Sequence, residues 1–127
     1  RPVLPEMIDS GIDILNPIQW RCKGMERRAL KRDFGDRVVF HGGVDNQYTL
    51  AFGSIEEVRQ EVRDNLRIFG SGGGYILAPC HNIQAIGPPE NIVALYETGR
   101  DEGWTRLHPP SPDIARSGTR TSPITPL

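Results

Sequence analysis

Four side chains able to transfer protons, attack as nucleophiles or ligate a metal stand where apolar runs stop: His41, Asp45, Cys80 and His81. The densest group follows one short run. Gly72-Gly73-Gly74 punctuates the chain, Tyr75 to Ala78 is continuously apolar, Pro79 ends the run, and Cys80-His81-Asn82 comes directly after it. A run bounded in this way reads as a strand buried on both faces, as in parallel sheets. Reactive side chains at the carboxyl end of such a strand sit where α/β proteins place their ligands. An imidazole gives or takes a proton near neutral pH. A thiol and an imidazole can also bind zinc. The plain alternative is a packing cysteine beside a satisfied loop histidine, and this stretch alone does not separate the two.

Other chemistries are weaker. Neighbours on an extended segment point opposite ways, which disfavours Cys80 and His81 as a nucleophile and its base. Cys80, His81, His41 and Asp45 are all candidate zinc ligands, but the chain has no Cys-x-x-Cys or His-x-Cys pair. Gly42-Gly43 and Gly72-Gly73-Gly74 miss the spacing of the phosphate-binding fingerprints, and tight turns explain them more simply. Cys22 has no companion and is read as inert. The series Arg21, Lys23, Arg27, Arg28, Lys31 and Arg32 reads as a solvated helix face, part of which could steer an anionic substrate.

The elements that position these residues alternate. Pro5 to Ser10 reads as the tail of a helix that closes at Gly11. Asp13 to Pro17 is a short strand ended by its proline. Met25, Ala29, Leu30 and Phe34 share a helical face that Gly35 stops. Arg37 to Phe40 is the second strand, and His41 to Asn46 is the turn out of it. Ser54-Ile55-Glu56-Glu57 is a capping box that opens a helix with Ile55, Val58, Val62, Leu66 and Phe69 on its apolar side. Tyr75 to Ala78 is the third strand. Pro88-Pro89-Glu90 starts a last helix, which ends before Gly103. Such alternation implies an α/β fold with a parallel sheet. Parallel strands share one mouth at their carboxyl ends. It would gather Asn16 and Gln19, then His41, Asp45 and Asn46, then Cys80, His81 and Asn82.

The 127 residues suffice for one domain with a core. Lys and Arg number 15 against 16 Asp and Glu, so no basic excess points to nucleic acid. No apolar run approaches 20 residues, which gives no membrane-spanning helix. Two cysteines make no disulfide framework, and a cytoplasmic location is the simplest inference. The chain opens at Arg1 with no initiator methionine, and three strands with open edges suggest a piece of a larger sheet or barrel. Residues 105–127 are rich in Pro, Ser, Thr and Arg, and read as a disordered tail or a segment foreign to the domain.

Taken together, the segments resemble one family. Gly11-Ile12-Asp13-Ile14-Leu15-Asn16-Pro17-Ile18-Gln19 is similar to the "GxDxLNPxQ" segment of the uroporphyrinogen decarboxylase superfamily. Phe40-His41-Gly42-Gly43-Val44-Asp45 resembles its "QGNLDP" turn, with Gly43 and Asn46 departing from the asparagine and proline usual there. Gly74 to Ile83, followed by Pro88-Pro89-Glu90-Asn91-Ile92, resembles its C-terminal segment. The resemblance covers residues 1–104. It implies the C-terminal part of a TIM (β/α)8 barrel, with three parallel strands alternating with helices. It further implies cofactor-free removal of acetate carboxyls from uroporphyrinogen III, giving coproporphyrinogen III. His81 would be the catalytic residue facing the tetrapyrrole, and Gln19, His41, Asp45 and Asn82 would serve the substrate, Asp45 by holding its turn. A homodimer is implied for the full-length protein. The superfamily's other branch holds zinc-dependent methyltransferases acting on corrinoid-linked substrates. There Cys80 or His81 would complete a zinc site, although the family's cysteine aligns with His81. An inactive truncated chain is the third reading.

Overall fold

The computed structural model describes residues 1–107. The elements follow in the order α1 (Leu4–Asp9), β1 (Ile14–Ile18), α2 (Arg27–Phe34), β2 (Val39–Val44), α3 (Thr49–Phe52), α4 (Ile55–Ile68), β3 (Tyr75–Pro79) and α5 (Pro89–Leu107). The strands form one parallel sheet in the order β1-β2-β3. Each crossover carries a helix, as parallel pairing requires. The architecture is that of successive strand–helix units of a (β/α)8 barrel.

The helices cover one face of the sheet. Leu30 and Phe34 of α2 pack with Leu15, Ile18 and Phe40. Val58 and Val62 of α4 pack with Val44 and with Ala94 and Leu95 of α5. The Phe69 ring lies 5.1 Å from that of Phe40 and 5.4 Å from that of Tyr75, so the end of α4 is tied to two strands at once. Burying a side chain of this size contributes roughly 2–3 kcal/mol, which makes Phe40 a strong pin for the register. The capping box of α4 forms as its sequence requires: the Glu57 carboxylate accepts from Ser54 N at 2.7 Å and Ser54 Oγ accepts from Glu57 N at 3.3 Å. Alternation turns Val39 and His41 to the opposite face, where their register partners Ile14 and Ile76 are 48% and 42% exposed.

Several element bounds differ from the sequence reading. The second strand does not stop at Phe40. It continues through His41, Gly42 and Gly43 to Val44, because the ladder with β3 continues in register to Val44 opposite Pro79. Gly42 and Gly43 hold positive φ, 110° and 89°, and the neighbours come close: a Cβ on Gly42 would lie 3.1 Å from Ile18 N. These glycines serve close packing inside a strand rather than a turn. β1 passes through Pro17 to Ile18, and its pairing with β2 shifts register between Leu15 and Ile18. A proline is tolerated there because β1 pairs with β2 alone among the described strands. α3 is a helical turn for which the sequence reading gives no element. α5 runs past Gly103 to Leu107. Gly99 within it lets the helix approach β3, since a Cβ there would lie 2.2 Å from Leu77 Cδ2. The expected tail therefore begins inside α5 at Thr105 to Leu107, and its remainder lies outside the described residues. No helix among the described residues is long and apolar enough to cross a membrane.

Candidate functional site

The carboxyl ends of the strands meet at one mouth, as expected. Asn16 and Pro17 of β1, His41 of β2 and the segment Ala78 to Ile83 surround a cavity of about 420 Å³, with Tyr96 of α5 on its wall. A larger hollow of about 820 Å³ adjoins it and shares Pro17, Cys80 and His81. Gln19, Asn46, Gln47, Tyr48, Ala51, Phe52, Gln84 and Ile86 line the rest of that hollow. The structure thus gathers Asn16, Gln19, His41, Asn46, Cys80, His81 and Asn82. His81 and Asn82 are exposed, and His41 is half-buried. Gln19 Oε1 is buried with no hydrogen-bond partner among the described residues.

Asp45 does not open to either hollow. It is fully buried at the end of β2, where it caps α3 by accepting from the N–H groups of Gln47, Tyr48 and Thr49 at 3.2, 3.1 and 3.3 Å. Arg21 Nε meets its carboxylate at 2.7 Å. Beneath it Glu61 of α4, also buried, accepts from Trp20 Nε1 at 3.0 Å, from Asp45 N at 2.7 Å and from Thr49 Oγ1. Arg27 faces Glu61 at 3.5 Å and lies over the Trp20 ring, 3.8 Å from its centroid. Burial pulls the Arg27 guanidinium below its usual range, and Glu61 and Asp64 oppose that pull. Two carboxylates and two guanidiniums thus neutralise one another under the mouth. This corrects the reading of the basic series as a solvated face: the Arg27 side chain is only 12% exposed, and Arg21 is committed to Asp45.

Comparison with known proteins agrees with the geometry. The family described as Uroporphyrinogen decarboxylase (URO-D) matches residues 1–101. The chain belongs to the uroporphyrinogen decarboxylase family. It is 33% identical over 98 residues to the uroporphyrinogen decarboxylase of Psychromonas ingrahamii, covering 74% of this chain and 26% of that protein. It is 30% identical over 94 residues to that of Chromohalobacter salexigens, covering 74% and 25%. It is 32% identical over 95 residues to that of Neisseria gonorrhoeae, covering 75% and 25%. The chain spans about a quarter of the length of these curated relatives.

In this member of the uroporphyrinogen decarboxylase family, Cys80 and His81 have different surroundings. Cys80 is 3% exposed, and its Sγ lies 3.0 Å from Asn46 Oδ1 as donor. Burial pushes its thiol up from the usual range, so it holds its proton. Asn46 Nδ2 in turn donates to the Asn82 carbonyl at 3.2 Å, fastening the loop after β3 to the end of β2. No group of three His, Cys, Asp or Glu side chains placed to hold a metal occurs among the described residues. The zinc alternative would have to draw further ligands from elsewhere. Glu61, Asn65 and Trp20 escaped the sequence reading. Helical spacing carried the signal for two of them: Glu61 and Asn65 fall three and seven residues after Val58, on the face that α4 buries. There Asn65 Nδ2 donates to the Gly43 carbonyl at 2.8 Å.

Proposed function

We propose that the protein is a uroporphyrinogen decarboxylase-type carboxy-lyase whose substrate is an anionic tetrapyrrole, uroporphyrinogen III, converted to coproporphyrinogen III. The observation that carries this reading is the juxtaposition of His41 and His81 at a mouth of parallel strand ends, in a chain of this family. Each turnover of an acetate arm releases carbon dioxide and replaces the lost carboxylate with a proton on the methylene carbon. His81, exposed at the wall shared by the two hollows, is suited to deliver or hold that proton. His41 and Asn82 line the smaller cavity beside it, Gln19 faces the substrate from the larger hollow, and Asp45 acts from below by fixing the turn that carries Asn46. The Cys80 side chain is buried and donates to Asn46 Oδ1, an engagement that suits a structural role for it in this reading. The full-length protein would act in the cytoplasm.

The test is decarboxylation of uroporphyrinogen III by the protein, with products resolved by carboxyl number. We expect stepwise loss of acetate carboxyls, and a rate reduced about 100-fold in His81→Ala. An unchanged rate in that variant removes His81 from the chemistry. No product from the unaltered protein removes the substrate assignment.

A further inference from the structure

The sequence pattern places His41 in a turn, and its position inside β2 gives it a more specific use. Its ring is half-buried against the smaller cavity. Neither it nor His81 makes a hydrogen bond or ion pair with any described residue. Apart from the Cys80 thiol, which donates to Asn46, the remaining polar side chains on that wall, Asn16, Asn82 and Tyr96, are equally uncommitted among the described residues. Among the described residues the wall contains no Asp, Glu, Lys or Arg. The nearby carboxylate of Asp45 is buried and paired with Arg21. No carboxylate among the described residues lines the wall to repel an anion, and each of the two imidazoles offers it a ring N–H. At about 420 Å³ the cavity is ample for one carboxylate arm and too small for a whole tetrapyrrole.

We propose that His41 and His81 form a two-imidazole clamp for a single carboxylate arm of the substrate, with His41 as its inner, specificity-determining half. This deepens the tetrapyrrole reading and rests on it for the identity of the substrate. A carboxylate has lone pairs for several donors, so each imidazole can give it one N–H. Hydrogen bonds to charged groups are stronger than neutral ones, and losing one costs roughly 10- to 100-fold in affinity. Two donors to one group act as a unit, so their losses are not additive.

The experiment titrates the protein with uroporphyrin III, the oxidised and unreactive octa-acid, and with its octamethyl ester, and follows fluorescence. His41→Ala and His81→Ala should each weaken acid binding about 10- to 100-fold and leave the ester nearly unchanged. The double variant should lose less than the product of the two. His41→Gln keeps an N–H donor and should recover much of the lost affinity. Equal losses for acid and ester, or a loss that His41→Gln does not recover, would overturn the clamp. A second arm uses propane-1,2,3-tricarboxylate and the imidazole proton resonances, assigned by single His→Gln variants among the chain's 3 histidines. The His41 and His81 signals should move together. If they move while no porphyrin binds, the tetrapyrrole reading falls and the clamp stands. If porphyrin binds and neither signal moves with the tricarboxylate, the clamp falls and the tetrapyrrole reading stands. If neither ligand has an effect, both fall.

Discussion

Asp45 and Glu61 place two carboxylates beneath the strand ends, 0% and 7% exposed. Left alone, such groups would cost several kcal/mol in lost hydration. Here each accepts at least three hydrogen bonds or ion pairs. Glu61 joins three segments: Trp20 after β1, Asp45 at the end of β2, and Thr49 of α3. Replacing it with glutamine keeps the shape, removes the charge, and turns an amide NH2 toward groups that are themselves donors. Arg27 then loses its nearer buried counter-charge. Glu61→Gln should therefore destabilise the protein by about 3 kcal/mol, the cost typical of breaking a buried ion pair from one side. The check is the denaturant midpoint of variant against parent at equal slope. A change below about 0.5 kcal/mol would mean that the network spans the loops without holding them. None of this was legible at the level of residue type. Arg21 and Arg27 read as surface charges because a run of cations gives no sign of which ones find buried partners. Trp20 gives no local signal because its partner lies forty-one residues away.

At the scale of elements, the capping box of α4 and the apolar run of β3 could be read directly, since both are local. β2 was harder. Two successive glycines usually punctuate, and only pairing with β3 shows that the strand continues through them. Their function is close approach. A Cβ on Gly43 would lie 3.3 Å from both Asn65 Nδ2 and the Tyr75 hydroxyl, and 3.5 Å from the Phe69 ring, at a φ of +89°. Tyr75 itself donates to the Gly42 carbonyl at 2.7 Å, and burial pushes its phenol pKa upward, so it remains a neutral donor. Gly43→Ala should cost roughly 1–3 kcal/mol from backbone strain alone. It should also lower whatever activity the mouth supports, because His41 precedes this position in β2 and Asp45 follows directly after the strand. Comparing Gly43→Ala with alanine at Gly72 separates the effects. Gly72 also has positive φ, but no heavy atom lies within 4 Å of its would-be Cβ. Gly72→Ala should show strain without the loss of function. Equal losses of function at the two positions would count against close packing as the role of Gly43.

At the scale of the whole molecule, the sheet order and the clustering of site residues followed from α/β alternation, whereas the choice of a barrel came from resemblance. Alternation predicts parallel neighbours but says nothing of closure. The structure shows what closure must supply. β1 and β3 each pair with β2 alone among the described strands, which leaves two edges of unpaired N–H and C=O groups. The sheet face away from the helices presents Ile14 and Ile76, nearly half exposed, beside the half-buried His41. In a barrel that face is packed interior. Parallel sheets are stable when both faces are covered, and the described residues cover one. The 127-residue chain produced alone should therefore self-associate through its edges and its bare face. Sedimentation should show a mass that rises with concentration across the micromolar range, and thermal melting should be broad. Supplying the remaining strand–helix units of the barrel should abolish the association and sharpen the melt. A monomer with a sharp, concentration-independent transition would show that the helix-side core around Phe40 and Phe69 suffices by itself. The mouth would then be an open half-site that binds carboxylates without enclosing them.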